Sequence, residues 1–390
     1  MRVIAGQSVG RQYFTFTILS PQITMKFTLK FLAGTAICFF LAQTNANAQG
    51  CVAIRSTGGL CSMAEHPDSV TSDGGWLFNS NSRYYRSYKH FVGNQEQHER
   101  IELGTNVINH SYAQDLTLTR IFNNRWSFSI DVPYLVNSRS SLYEHGGKER
   151  RLTHSNGLGD VSLRAYAWLL NPAKAKKGNI QAGLGLKLPT GSYTYTDYFY
   201  NTGANGAKTL GPVDQSIQLG DGGTGIITEI NTYYNFSHRF GLYGTFYYMI
   251  SPRELNGVSS ARGGTPSAKA VANGSDIMSV PDQMMVRMGA NYGVGKFDLS
   301  AGIRYECLPV KDLVGGSNGF RRPGYISSIE PGVSYRVHKF SIYTFVPVAI
   351  ARNRTQSISD KITTQLTGVN AHGDAAFADY SVNLGVSFKL

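Results

Sequence analysis

The sequence predicts an all-β fold, a transmembrane antiparallel up-and-down β-barrel of about twelve strands. Three observations carry that expectation. Apolar and polar residues alternate one by one through most of the chain, the connections between these segments are short and long in turn, and no segment offers the roughly 18 uninterrupted apolar residues that a membrane-spanning helix needs. Glycine (43 of 390 residues) and aromatic residues (12%) are abundant and charged residues few (16%), which suits strands joined by many turns.

At the N-terminus, "MKFTLKFLAGTAICFFLAQTNANAQG" has Lys26 and Lys30 as a charged start, an apolar run from Phe31 to Leu41 and Ala46-Asn47-Ala48 as a small-residue cleavage site. Residues 1–48 therefore read as a secretory signal peptide, with translation expected to start at Met25. Cleavage after Ala48 removes Arg2, Arg11, Lys26 and Lys30 and no acidic residue, which lowers the net charge from +12 to +8. The remaining basic residues are scattered through loops and strands rather than gathered on one element, so nucleic acid is not an expected partner. Residues 49–75 are expected to form a periplasmic segment or plug. Within them Cys51 and Cys61 bracket "CVAIRSTGGLC" and would pair in an oxidising periplasm. Lipidation of Cys51 is the alternative, although "AQG" before it lacks the leucine of a lipidation signal. Cys307, in an alternating segment, reads as a small outward hydrophobe.

From residue 76 onward the barrel begins, with strands expected near 76–92, 105–121, 126–138, 158–170, 179–193, 224–235, 241–252, 278–292, 296–309, 325–337, 340–352 and 376–390. The first two alternate poorly, so ten or fourteen strands also fit. In "GLGDVSLRAYAWLL" (157–170), Val161, Leu163, Ala165, Ala167 and Leu169 share one face, and Asp160, Ser162, Arg164 and Tyr166 the other. Successive strand side chains point to opposite faces, so the first set meets hydrocarbon and the second the lumen. "KFDLSAGIRYEC" repeats the pattern, with Phe297, Leu299, Ala301, Ile303 and Tyr305 opposed to Asp298, Ser300, Gly302, Arg304 and Glu306. Connections at 123–124, 171–178, 236–240, 293–296 and 338–339 are short, whereas those at 93–104, 139–157, 194–223, 253–277, 310–324 and 353–375 are long and polar. That is the pattern of tight periplasmic turns and long outer loops. Trp126, Tyr134, Trp168 and Tyr292 lie near strand ends and suit interfacial aromatic girdles.

Four blocks in one order, "LTLTRIFNNRWSFSIDVPYL" (116–135), "NGLGDVSLRAYAWLL" (156–170), "NIQAGLGLKLPTGSY" (179–193) and "SIQLGDGGTGIITEINTYYNF" (216–236), resemble outer-membrane proteins associated with the meta-pathway of phenol degradation. That family is treated as transporters within the wider class of fatty-acid-channel-like barrels. The resemblance covers about a third of the mature chain and implies uptake of small hydrophobic or aromatic compounds.

Other motifs carry less. "THSNG" (153–157) is similar to the His-x-Ser-Asn-Gly stretch of outer-membrane phospholipases. A catalytic pair there needs His and Ser two residues apart on one strand face, whereas His154 and Ser155 are adjacent, so a polar loop leading into a strand is the expected reading. "GDGGTG" (220–225) lacks the Lys-Ser/Thr of a phosphate cradle and reads as a loop-to-strand bend. The nine histidines are dispersed, so neither a metal site nor a cofactor is expected.

The sharpest constellation is a level of inward charges. Counted from the short turns, Arg164, Glu229 and Arg287 stand six residues up their strands, Arg304 and Glu330 seven, and Lys187 and Glu306 slightly higher. These heights fall near mid-barrel, where the charges form either an ion-pair network that fills the lumen or a polar constriction. The functional expectation is a non-enzymatic outer-membrane channel that passively conducts small solutes in a Gram-negative bacterium, with membrane lipid and solute as its partners. A structural or adhesive barrel with a closed lumen is the alternative, and an outer-membrane lipid hydrolase a more distant one.

Overall fold

A computed structural model describes residues 74–390 of the chain. The expected signal peptide, the expected periplasmic segment up to residue 73 and the expected Cys51–Cys61 pairing lie outside the described residues.

Twelve antiparallel strands close into a barrel. They are β1 (Gly75–Val92), β2 (Ile108–Ile121), β3 (Trp126–Ser141), β4 in two parts (Arg151–Leu158 and Ser162–Trp168), β5 (Gly178–Lys187), β6 (Gly225–Asn235), β7 (Phe240–Ile250), β8 (Gln283–Val294), β9 (Phe297–Leu308), β10 (Gly324–Val337), β11 in two parts (Phe340–Phe345 and Val348–Asn353) and β12 (Ala375–Lys389). Each pairs with its neighbour in sequence, and β12 pairs back onto β1 from Leu77↔Lys389 to Phe91↔Ala375. Closure leaves no edge strand, so the backbone groups at membrane depth find partners within the sheet.

Both interruptions occur beside prolines, which cannot donate to the ladder. Pro133 of β3 stands opposite the gap in β4, and its carbonyl accepts the Gly159 N–H at 2.8 Å. The gap in β11 lies at Val346–Pro347, where Val346 donates to Pro331 at 3.0 Å and Ser381 donates to Pro347 at 3.1 Å. Each break is bridged by at least one backbone bond.

Alternation along the strands is a division between lumen and lipid. Trp76, Trp126, Tyr234, Phe240, Tyr292, Phe297 and Phe340 are exposed on the outer surface near the short turns, while odd and even positions swap between apolar-exposed and polar-buried above them. Trp168 departs from the girdle expected of it. It shares parity with Arg164 and Tyr166, faces the lumen and packs edge-on against Tyr233 with ring centroids 5.8 Å apart. One seam of the outer face is polar. Gln114 Nε2 donates to Ser80 (2.8 Å), and its Oε1 accepts from Ser82 (2.6 Å) and Tyr112 (2.9 Å). Hydrocarbon offers no partner to such groups, and here they bond one another.

Three boundaries differ from the sequence expectation for local reasons. The strand expected over 179–193 ends at Lys187, ahead of Pro189. Residues 139–157, expected as a loop, continue β3 to Ser141 and return as Arg151–Leu158, extending a hairpin beyond the membrane band. That places "THSNG" in a strand rather than a loop, with His154 exposed and Ser155 buried on the opposite face. The strand expected over 278–292 begins at Gln283, because Ile277–Ser279 pairs instead with Leu255–Ser259 in an outer hairpin. A second outer hairpin joins Thr196–Phe199 to Thr209–Pro212. Three helices, α1 (Glu99–Glu102), α2 (Ala268–Ala272) and α3 (Ile358–Thr367), also lie in outer loops, and α3 is closed by a Ser357/Asp360 capping box and by Gly368 at φ +69°. Cys307 has a free thiol and keeps the outward parity of its strand, but it is buried, in register with Met284 and Tyr325.

Candidate functional site: the lumen around Arg164

Every residue of the expected charged level is buried and points inward, and the level divides into two arcs and an upper pair. On the β8–β10 wall, Arg287 Nε donates to Glu330 Oε1 at 2.8 Å, Arg304 reaches the other Glu330 oxygen at 3.3 Å, and Arg304 also pairs with Glu306 at 2.8 Å. On the opposite wall, Arg164 stands 3.9 Å from both Asp131 and Glu229. Lys187 sits higher, between Asp160 (3.1 Å) and Asp221, so "GDGGTG" supplies a carboxylate to the lumen.

Asp131 was not singled out in the sequence, and neither were Asp115 and Arg83. All three are buried lumen residues, with Asp115 close enough to Asp131, Arg83 and Arg164 to feel each charge. The resulting order along the wall, Arg83, Asp115, Asp131, Arg164 and Glu229, alternates partly in sign. Buried charges need partners of opposite sign at close range, and this arc supplies them from five strands.

Two glycines make the Arg164 arrangement fit. A Cβ on Gly185 would lie 2.8 Å from the Arg164 side chain and 2.4 Å from the Leu163 carbonyl, and one on Gly183 would lie 2.7 Å from the Tyr166 ring. The bare backbone of β5 therefore lets Arg164 and Tyr166 lie across it toward Glu229, which accepts the Tyr166 hydroxyl at 3.1 Å. Tyr343 uses the same device on Gly385, whose Cβ would fall 2.1 Å from the ring, and its hydroxyl donates to Asn79 at 2.9 Å.

Arg164 separates two cavities and lines both. The lower, of about 90 Å³, has Leu77, Ile121, Tyr166 and Trp168 among polar neighbours such as Ser129 and Asn231. The upper, of about 40 Å³, is bounded by Leu135, Leu219, Ile227, Tyr247 and Met249, with Lys187 and Asp221 at its rim. Arg287, Arg304, Glu306 and Glu330 line neither.

Above the upper cavity, the loop between β5 and β6 dips into the barrel mouth. Leu219 packs on Ala113 and Leu135, and the Ile217 carbonyl accepts hydrogen bonds from Ser155 and Asn137. An ion cluster holds the loop there. Both oxygens of Asp214 accept from Arg322 (2.8 and 2.6 Å), with Arg139 and Arg262 at 3.5 and 3.4 Å, and Arg139 also binds Glu144 at 2.7 Å. Burial alone would push the Asp214 carboxyl up, but Arg139, Arg322 and Arg262 hold it well below the usual carboxylate range. Glu144 is likewise lowered, with Arg139 and Arg262 overcoming its burial. Among the described residues, no group of three or more His, Cys, Asp or Glu side chains gathers as a metal-ligand set.

No family model and no curated protein matches the chain. Among solved structures, the COG4313 outer membrane channel from Pseudomonas putida F1 superposes with a TM-score of 0.54, covering 82% of this chain and 97% of that one at 11% identity. The Pseudomonas putida toluene transporter TodX overlaps more loosely, with a TM-score of 0.41 over 88% and 96% of the two chains at 8% identity. The NanC porin gives 0.36 over 79% and 100% at 10% identity. The first likeness is one of fold. The closed twelve-strand barrel and its apolar outer face are those of an outer-membrane β-barrel protein.

Proposed function

We propose that the barrel is a passive channel for small solutes and that the Arg164 level is its constriction. The observation that carries this reading is the pair of cavities meeting at one side chain: a solute that crosses the lumen along them must pass the Arg164 guanidinium, with Asp131 and Glu229 beside it. The Arg287–Glu330–Arg304–Glu306 network, which lines neither cavity, acts as wall bracing, and Lys187 with its two carboxylates as the outer rim of the path.

Hydrophobic or aromatic solutes are the proposed cargo. Leu77, Ile121, Tyr166 and Trp168 give the lower cavity apolar surface among hydrogen-bonding groups, which suits small molecules with an aromatic body and a polar handle. The resemblance to phenol-pathway barrels points to the same class, and the COG4313 neighbour is itself an outer-membrane channel. Swelling of proteoliposomes in isosmotic solutes tests the proposal. Faster entry of small aromatic alcohols and acids than of sugars of equal size supports it. Absence of swelling from a barrel that keeps its heat resistance on gels would instead identify a closed structural barrel.

A further inference from the structure

The outer face of β1 measures its own depth in the membrane. Trp76 and Arg86 both point outward and are exposed, and they lie ten residues apart. At about 3.3 Å per residue on a strand tilted by about 40°, that is about 25 Å of height, the height of the apolar band of an outer-membrane barrel. Trp76 therefore marks the periplasmic edge of the band and Arg86 the outer edge, where the lipid headgroups begin.

At that outer edge the sheet is irregular. The β1–β12 pairing shifts register between Tyr85 and Ser87 and again between Ser87 and Lys89, and such bulges re-aim side chains. The result is a compact basic cluster. Arg86 stacks on the Tyr88 ring, 4.4 Å from its centroid, and Lys89 lies over the same ring at 5.9 Å. The Tyr88 hydroxyl donates to Asp379 at 2.8 Å, and Asp379 pairs with Lys89 at 3.1 Å and with Arg352 at 2.6 Å. Lys89 and Arg352 share Asp379, and Glu96 lies near enough to Lys89 to act on it, so the three cations outnumber the two carboxylates by one and Arg86 is the surplus positive charge. Arg86 has no carboxylate within ion-pair distance among the described residues, and its guanidinium is held in place by the ring beneath it.

We infer that Arg86 and Lys89 form a binding site for a phosphate group of lipid A, the phosphorylated glycolipid of the outer leaflet. A fixed guanidinium and an ammonium on one aromatic platform offer several charge-assisted donors to a phosphate monoester. Their height places them level with the glucosamine phosphates while the acyl chains lie along Tyr84, Tyr112 and Val382 below, all exposed on the outer face. The site does not depend on whether the lumen conducts. A matched control exists at the other rim, where Arg120 lies over Trp76 at 5.2 Å in the same cation–ring arrangement but faces the inner leaflet.

Native mass spectrometry of the detergent-purified full chain, titrated with bisphosphorylated lipid A, tests the site. At about fivefold per surface cation, Arg86→Ala/Lys89→Ala should bind about twenty-five-fold more weakly, Arg86→Gln alone about fivefold, and Arg120→Ala like wild type. Dephosphorylated lipid A should bind wild type as weakly as the bisphosphorylated lipid binds the double variant. Heat-shift gels confirm the fold of each variant, and the single variant carries the test if the double one does not fold. Equal binding of phosphorylated and dephosphorylated lipid, or undiminished binding by folded Arg86→Gln, overturns the inference. Competition by millimolar inorganic phosphate as effective as by lipid A would reassign the cluster to free anions.

Discussion

Arg164→Ala is the most informative perturbation of the lumen. The side chain separates cavities of about 90 and about 40 Å³, so its truncation should join them into one path and raise single-channel conductance. It also leaves Asp131 and Glu229, each 3.9 Å from the lost guanidinium, without that cation. At an effective dielectric of about 40 and a distance of about 8 Å from a permeating ion, one unit charge changes the ion's energy by about 1 kcal/mol, about fivefold in preference. Reversal potentials across a salt gradient in planar bilayers should therefore shift toward cations by about that factor. Breaking a buried pair costs about 3–5 kcal/mol, so the variant should also lose heat resistance. Adding Glu229→Gln removes one stranded carboxylate, and the double variant should regain resistance and lose the cation shift while keeping the higher conductance. If Arg164→Ala changes neither conductance nor selectivity in a folded barrel, solutes do not pass this level and the reasoning fails.

Other expectations concern the frame and the outer cluster. Gly385→Ala puts a methyl 2.1 Å from the Tyr343 ring on a backbone that the β1 and β11 ladders hold in place, and overpacking of this kind costs about 1–3 kcal/mol, read as a lower unfolding temperature on gels. Asp214 and Glu144 have folded-state pKa values below their unfolded ones, so their stabilisation is complete above the unfolded pKa of about 4 and is lost as pH falls through the depressed folded values. His145, whose pKa burial lowers, accepts from the Tyr200 N–H in the same loop and weakens that hold as pH falls below the unfolded imidazole value of about 6.5. The ion cluster is therefore read in a His145→Asn background, where protease cleavage within 194–223 should stay constant from about pH 8 to 5 and rise only below about pH 4; a rise at pH 6 in that background would contradict the ion-cluster account. Epitope tags inserted in 201–212 and 262–274 should be labelled on intact cells and one in 171–178 should not, whereas reversed labelling would invert the orientation.

Strand order, strand faces and the turn ends were legible because each rests on local physics. Parity assigns Arg164, Glu229, Arg287, Arg304, Glu306 and Glu330 to the lumen without knowledge of their neighbours. The same parity places Trp168 inside, a step that the aromatic-girdle argument obscured by reading its position along the strand rather than its face. Partnership was less legible. Arg164 meets Asp131 across β3–β4 and Glu229 across β5, and the small residues that allow this, Gly183 and Gly185, look in sequence like any turn-rich glycines. Least legible was the loop that dips into the mouth. Asp214 draws Arg139 from the outer end of β3 and Arg262 and Arg322 from two separate connections, and no period in the sequence links residues so far apart.

The central claim is that solute passes through the lumen along the cavity beneath Arg164, and adjacent positions on β3 test it directly. Ser129 is buried and lines that cavity, while Ile130 is exposed on the lipid face. A charged, water-soluble thiol reagent added to single channels should reduce the conductance of Ser129→Cys in discrete steps and leave Ile130→Cys and wild type unchanged. Modification of Ser129→Cys without any change in current, or a block at Ile130→Cys, would contradict a path through the lumen.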